Sequence, residues 1–195
     1  MSENTPVNPE ALGHFIRKFS AADIMSTGNT QSSVQRKIRS SIQKQFSFND
    51  DEMEVVLPKK VGLTLIKCGC HVSCVVVSNE ILFFQHRSGE FYPHLRVLHR
   101  FPHILPKIQC DGGACKFVLS GANVMCPGVT SSGGKIFDNL EKGQIVQICI
   151  QGKEHAAGIG KLLMSTGDIQ SINKGHGIET VHVLNDGMWK LNKVL

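Results

Sequence analysis

Apolar positions recur along this chain at two periods, one helical and one strand-like. From Ser33 onward, Val34, Ile38, Ile42 and Phe46 fall at successive four-residue steps. That spacing predicts a helix with one apolar face, and Arg36, Lys37 and Lys44 fall on its opposite side. Asn49-Asp-Asp-Glu52 with Glu54 reads as a solvated acidic connection that ends at Pro58-Lys59-Lys60. Three apolar runs follow: Leu63 to Ile66, Cys74 to Val77 and Ile81 to Phe84. Only Ser78-Asn79-Glu80 separates the last two, which predicts a β-hairpin beside a further strand. Arg87-Ser-Gly-Glu90 reads as a turn, and Pro93 suits a first helical position with Leu95, Val97 and Leu98 behind it. His99 and Arg100 suit that helix's negative end as cations, and Pro102 stops it.

Pro102 and Pro106 mark a boundary, after which short strands dominate. Lys107 to Cys110, Gln144 to Gln151, Ala156 to Met164 and Gly177 to Leu184 each read as a strand. Met188 to Leu191 reads as a strand returning after an Asn185-Asp-Gly187 turn. Asp111 suits a helix cap, Ala114 to Leu119 a short helix, and Gly121 the left-handed residue that closes it. Val124 and Met125 then start a strand, Thr130-Ser-Ser-Gly-Gly134 makes a flexible turn, and Asp168 to Lys174 forms a helix closed by Gly175. The expected class is α+β: an N-terminal α+β domain over residues 32–104, followed by a small, partly closed β-barrel with short helices over 105–195. Residues 1–31 read as a variable, partly disordered extension, whose helically spaced island of Leu12, Phe15, Ile16 and Phe19 can dock on the rest.

Composition adds constraints. The 195 residues are 41% hydrophobic, which is sufficient for real cores in one large or two small domains. A net charge of +5 favours anionic partners, though weakly. No apolar run is long enough to span a bilayer, and Met1-Ser-Glu-Asn-Thr-Pro6 lacks the pattern of a secretory signal, so a soluble, cytoplasmic chain without membrane partners is expected. The seven cysteines then read as free thiols. Cys68-Gly-Cys70-His71-Val-Ser-Cys74 has the ligand types for zinc but lacks a second Cys-x-x-Cys knuckle, so no metal and no cofactor are expected.

The chain has no nucleophile elbow, phosphate-loop motif or zinc-protease helix. His71, His155 and His182 sit in strand-like contexts, and Gly175-His-Gly177 reads as a turn. A binding role fits better. Lys116 and Lys135 flank the small-residue loop Ser120 to Asn123, and cations beside uncovered backbone suit a phosphate. The same glycines would also serve tight barrel turns.

The run Asp111-Gly-Gly-Ala-Cys-Lys-Phe-Val-Leu-Ser-Gly-Ala-Asn-Val-Met-Cys-Pro-Gly128 resembles the opening of a PUA domain. This small RNA-binding β-barrel is named after pseudouridine synthases and archaeosine transglycosylases. The version here resembles that of the malignant T-cell-amplified sequence protein family, which is related to ligatin. Leu82 to Pro106, Asn173 to Glu179 and His182 to Trp189 agree with that family in order and spacing, and the similarity runs from about Ser33 to the C-terminus. The resemblance implies an RNA-facing edge formed by Lys116, Ser120, Gly121, Ala122, Asn123, Met125 and Gly128, with Lys135 beside it. It also implies a non-catalytic translation factor that contacts small ribosomal subunit RNA and tRNA. Such a factor would act in reinitiation and in tRNA release during recycling, as a heterodimer with a density-regulated protein homologue. Arg36, Lys37 and Lys44 would then be candidates for the ribosome or partner surface. Two other readings stay open: a scaffold whose barrel binds protein, and an accessory protein of RNA modification.

Overall fold

A computed structural model describes residues 9–191 and residue 193. Its elements run in the order α1 (Pro9–Lys18), β1 (Ile24–Asn29), α2 (Ser32–Phe46), α3 (Asp50–Val56), β2 (Leu63–Cys68), β3 (Val72–Val77), β4 (Glu80–His86), β5 (Phe91–Pro93) and α4 (Leu95–Arg100). The second half continues with β6 (Lys107–Cys110), α5 (Cys115–Leu119), β7 (Val124–Met125), α6 (Pro127–Thr130), β8 (Lys135–Ile136), β9 (Ile145–Ile150), β10 (Gly158–Leu162), α7 (Thr166–Ile172), β11 (His176–Val183) and α8 (Gly187–Lys190). The strands form two sheets, so the molecule is an α+β fold.

The first sheet is a meander ordered β1-β2-β3-β4-β5, antiparallel throughout. The expected hairpin is β3–β4: Ser78 and Asn79 both take positive φ, 48° and 71°, which matches the twist of the paired strands. Phe46, Phe48, Phe83 and Phe101 pack ring against ring beneath it. Helix α2 buries Ile42 and Phe46 and packs Ile38 against the core, whereas Val34 is 37% exposed, so the apolar stripe leaves the core at its N-terminal end.

Two local expectations change. The acidic stretch is not a solvated connection but the start of α3. Asn49 Oδ1 accepts from the Glu52 N–H at 2.9 Å, and the Glu52 carboxylate accepts from the Asn49 N–H at 3.0 Å. This reciprocal cap places the acids at the helix's positive end and turns Met53 and Val56 into the core. Pro93, placed above at a helix start, ends β5 instead. His94 caps α4, its Nδ1 accepting from the Arg96 N–H at 3.1 Å.

The second sheet is ordered β7-β11-β10-β9-β6-β8. It curls around β9, whose six residues are all buried. Its β6–β9 pair is parallel, and the others are antiparallel. Residues 188–191, expected as a returning strand, do not form one. Asp186 accepts from the Trp189 N–H at 2.8 Å and starts α8, which buries Met188.

Two buried clusters support the fold: one inside the barrel around Ile108, Ile148 and Ile178, and one that both sheets share. Ile145, Ile159, Val181 and Met188 of the barrel join the same buried cluster as Phe83, Phe84 and Leu98. The expected loose extension is corrected over residues 9–29. Helix α1 buries Leu12 and Ile16 across β11, and Phe19 follows it into the core. The approach is tight: a Cβ on Gly13 would lie 2.4 Å from the Thr180 carbonyl oxygen. Strand β1 pairs with β2 (Thr27 opposite Ile66), so the polar Ser26-Thr-Gly-Asn29 run covers a sheet edge with backbone hydrogen bonds. Residues 1–8 of that expected extension lie outside the described residues.

Candidate nucleic-acid interface

The interface expected from the sequence is built on Asp111, directly after β6. Its Oδ1 accepts from the Ala114 N–H at 3.0 Å, and its Oδ2 accepts from the Ser131 hydroxyl at 2.6 Å. The Ser131 bond and then the backbone donors hold this carboxyl below the usual carboxylate range. The Asp111 N–H donates to the Gly128 carbonyl, so Gly128 anchors the start of the helix. Helix α5 ends at Gly121, whose φ is 78°; its N–H donates to the Val118 carbonyl and that of Ala122 to Phe117.

Being only five residues long, α5 buries Val118 and turns outward its other long side chains, Lys116, Phe117 and Leu119. Phe117 is 56% exposed, and the Lys116 ammonium lies 4.9 Å from the ring centroid. Met125, on the neighbouring β7, is 52% exposed. Among the described residues Lys116 forms no ion pair.

The loop itself is occupied by the fold. The Ser120 hydroxyl donates to the Phe117 carbonyl at 2.7 Å. The Arg17 guanidinium of α1 donates to the Gly121 carbonyl at 2.8 Å and covers the glycine. The Ala122 carbonyl accepts from the Thr180 hydroxyl at 2.8 Å, and Asn123 Oδ1 accepts from the Thr180 N–H at 3.0 Å. Gly121 and Asn123 thus join the loop to α1 and β11, while Lys116, Ser120, Ala122 and Met125 of the expected set are exposed. Lys135 stands apart on β8 with its ammonium 4.8 Å from the Phe137 ring. Phe117, Phe137 and Lys107 were missed in the sequence, where the signal available for the two rings was an aromatic one or two positions after Lys116 and Lys135; Lys107 carried none.

On α2, Arg36, Lys37 and Lys44 are all exposed. Arg36 and Arg39 line a groove of about 390 Å³ with Pro58 and Lys59 on its far wall. Arg39 is already paired with Glu54 at 3.2 Å.

The cysteine cluster spreads apart. Cys68 and Cys74 lie side by side on β2 and β3, Sγ to Sγ 4.0 Å, and this contact pulls the Cys68 thiol down and pushes Cys74 up. Cys70 is exposed. Among the described residues no three His, Cys, Asp or Glu side chains come together as metal ligands would. His99 is not the helix-end cation expected. Its Nε2 meets the Ala156 carbonyl oxygen at 2.9 Å, and burial lowers its pKa, favouring the neutral ring. His182 is fully buried, with Nδ1 2.7 Å from Asp186 Oδ2.

Residues 19–102 match the Pre-PUA-like domain family and residues 106–184 match the PUA domain family. Translation machinery-associated protein 20 of Eremothecium gossypii is 47% identical over 180 residues, covering 91% of this chain and 99% of the relative. The malignant T-cell-amplified sequence 1 homolog of Dictyostelium discoideum is 45% identical over 174 residues (89% and 96%). Malignant T-cell-amplified sequence 1 of Danio rerio is 46% identical over 161 residues (83% and 88%). In fold, the chain is similar to a hypothetical protein of Pyrococcus horikoshii with a TM-score of 0.66 at 19% identity, covering 86% of this chain and 99% of that one. A conserved PUA domain protein of Thermoplasma acidophilum gives 0.63 at 16% identity (85% and 98%). The pairing of a Pre-PUA-like with a PUA domain and the identity sustained over most of the chain show that it belongs to the family of malignant T-cell-amplified sequence proteins and translation machinery-associated protein 20.

Proposed function

We propose that this protein is a non-catalytic, RNA-binding translation factor of the cytoplasm that works on the small ribosomal subunit. One relative, translation machinery-associated protein 20, is named for the translation machinery, and the second half of this chain is a PUA domain. The observation that carries the RNA contact is the outward side of α5, where Lys116, without an ion pair among the described residues, stands against the exposed Phe117 ring, with Met125 exposed on the following strand β7. Such a face offers a cation for a phosphate and a flat surface for a base. Reinitiation and tRNA release during recycling are the steps we assign to it, with a density-regulated protein homologue as partner. The basic surface of α2, with Arg36, Lys37 and Lys44, is our candidate for the partner or subunit contact.

The test is Lys116→Glu, assayed for binding to purified small subunits and to tRNA. Weaker binding without loss of fold is expected, and wild-type affinity should fall steeply with added salt because phosphate contacts release counterions. Unchanged binding at physiological salt would defeat the assignment. A scaffold reading is favoured by a different observation: Phe117, Leu119, Met125 and Ile172 are all exposed apolar side chains. Pull-down with and without ribonuclease separates the two. Loss of ribosomal proteins after digestion supports RNA contact, and a persistent single partner supports the scaffold.

A further inference from the structure

Phe137 is a half-exposed ring at the edge of the barrel, with two lysine ammonium groups close to it. The register explains why. In the antiparallel β6–β8 pair, Ile108 faces Ile136 and Gln109 faces Lys135. Continuing that register one residue past β8 places Phe137 across from Lys107. Side chains alternate along a strand, so Lys135 and Phe137 share one face while Ile136 and Ile108 turn to the core. The Lys107 ammonium lies 5.3 Å and the Lys135 ammonium 4.8 Å from the ring centroid. Phe137 is 43% exposed, and among the described residues neither lysine is paired with a carboxylate. β8 is an edge strand, at the opposite end of the sheet order from β7.

We propose that Phe137, Lys107 and Lys135 form a stacking platform for one unpaired base of single-stranded RNA, the two ammoniums holding the phosphates on either side. The proposal rests on the RNA-binding reading above and adds a contact on β6 and β8, separate from the α5 face. Charge decides the occupant. An apolar protein surface docked on this ring would have to desolvate two unpaired cations, which is costly. A nucleotide supplies a flat π-face and an anion together, and base stacking on aromatic rings tolerates any sequence. A duplex is a poor fit, because its bases are already stacked on one another.

The full chain, titrated with a labelled single-stranded oligoribonucleotide of about twelve residues and with its duplex, tests this. Phe137→Ala should weaken single-strand binding about tenfold and leave duplex binding unchanged, while Phe137→Trp should bind as wild type. The double variant Lys107→Ala/Lys135→Ala should reduce the slope of log affinity against log salt by about 1.4. A 2-aminopurine in the oligonucleotide should lose fluorescence on binding wild type but not Phe137→Ala. Wild-type affinity in Phe137→Ala, alongside impaired Lys116→Glu, would overturn the platform and leave the RNA reading standing. Equal losses on single strand and duplex would overturn it too. Failure of the wild type to bind any RNA, with retained binding of an acidic protein partner through the two lysines, would overturn both.

Discussion

Arg17 donates to the Gly121 carbonyl at 2.8 Å across 104 positions of sequence, bolting the first helix onto the loop that ends α5. The contact leaves no room at the glycine: a Cβ there would lie 2.5 Å from Arg17 Nε, and φ is already 78°. Gly121→Ala should therefore cost about 1–2 kcal/mol for the left-handed backbone plus displacement of the guanidinium. Arg17→Ala alone should cost less, about 1 kcal/mol. The two should not add. With Arg17 truncated, the alanine methyl has space, so a double-mutant cycle by urea unfolding should show the pair costing less than the sum.

Asp186 is a buried carboxylate of the barrel, tied to neighbouring groups through both its oxygens. One oxygen accepts from the Val183 N–H at 2.8 Å and meets His182 Nδ1 at 2.7 Å; the other accepts from the Trp189 N–H at 2.8 Å. Asp186→Ala removes the α8 cap and strands a buried imidazole, for an expected loss of about 3 kcal/mol. Asp186→Asn keeps an oxygen for the cap and should lose roughly half of that. Denaturant midpoints of the three proteins, compared at one pH, check the ranking.

Asn49→Ala tests the corrected α3. The substitution removes the Oδ1 that accepts from the Glu52 N–H but keeps the backbone N–H that donates to the Glu52 carboxylate, so thermal unfolding should register a loss of about 1 kcal/mol. No change would mean that packing of Met53 and Val56, with the surviving Glu52 bond, holds the helix without the side-chain cap.

That helix also shows where the sequence was legible and where it was not. The Leu63 to Phe84 meander could be read because strand period and turn residues are local properties. The Asn49 to Glu52 cap was equally local, but its charges read as solvation. Asp186-Gly187 was ambiguous in principle, since the side-chain oxygen that closes a hairpin turn also caps a helix. Docking of α1 was beyond local reading: the apolar island was visible, but its partner, β11, lies some 160 residues further on. The candidate interface divides in the same way. Lys116 and Lys135 could be found as cations beside small residues. Occupation of Gly121 by Arg17, and the face shared by Lys107 and Phe137, come from pairings only the fold makes.

The histidines between the two sheets make stability depend on pH. His94 is buried, its ring 4.9 Å from that of His182 and stacked near Trp189. Its Nδ1 accepts from the Arg96 N–H, which leaves the proton on Nε2 to be donated to the Met188 carbonyl at 3.2 Å. The neutral ring is thus already fully used. Burial first, then the neighbouring His182, hold the His94 pKa well below its ordinary value, and burial lowers His99 as well. An unfolded histidine titrates near about 6.5, so below that pH the unfolded chain takes up protons that the fold refuses. The contribution is present above that value and is lost as pH falls through it toward the depressed folded values. Each histidine adds a slope of up to about 1.4 kcal/mol per pH unit. Urea midpoints should hold steady from about pH 8 to 7 and decline from about 6.5 downward, above the range where carboxylates titrate. His94→Asn keeps an acceptor for the Arg96 N–H but cannot titrate in this range. It should be less stable at neutral pH through loss of the Met188 bond, yet show a flatter decline by close to one proton. Parallel declines for wild type and variant would place the pH sensitivity elsewhere.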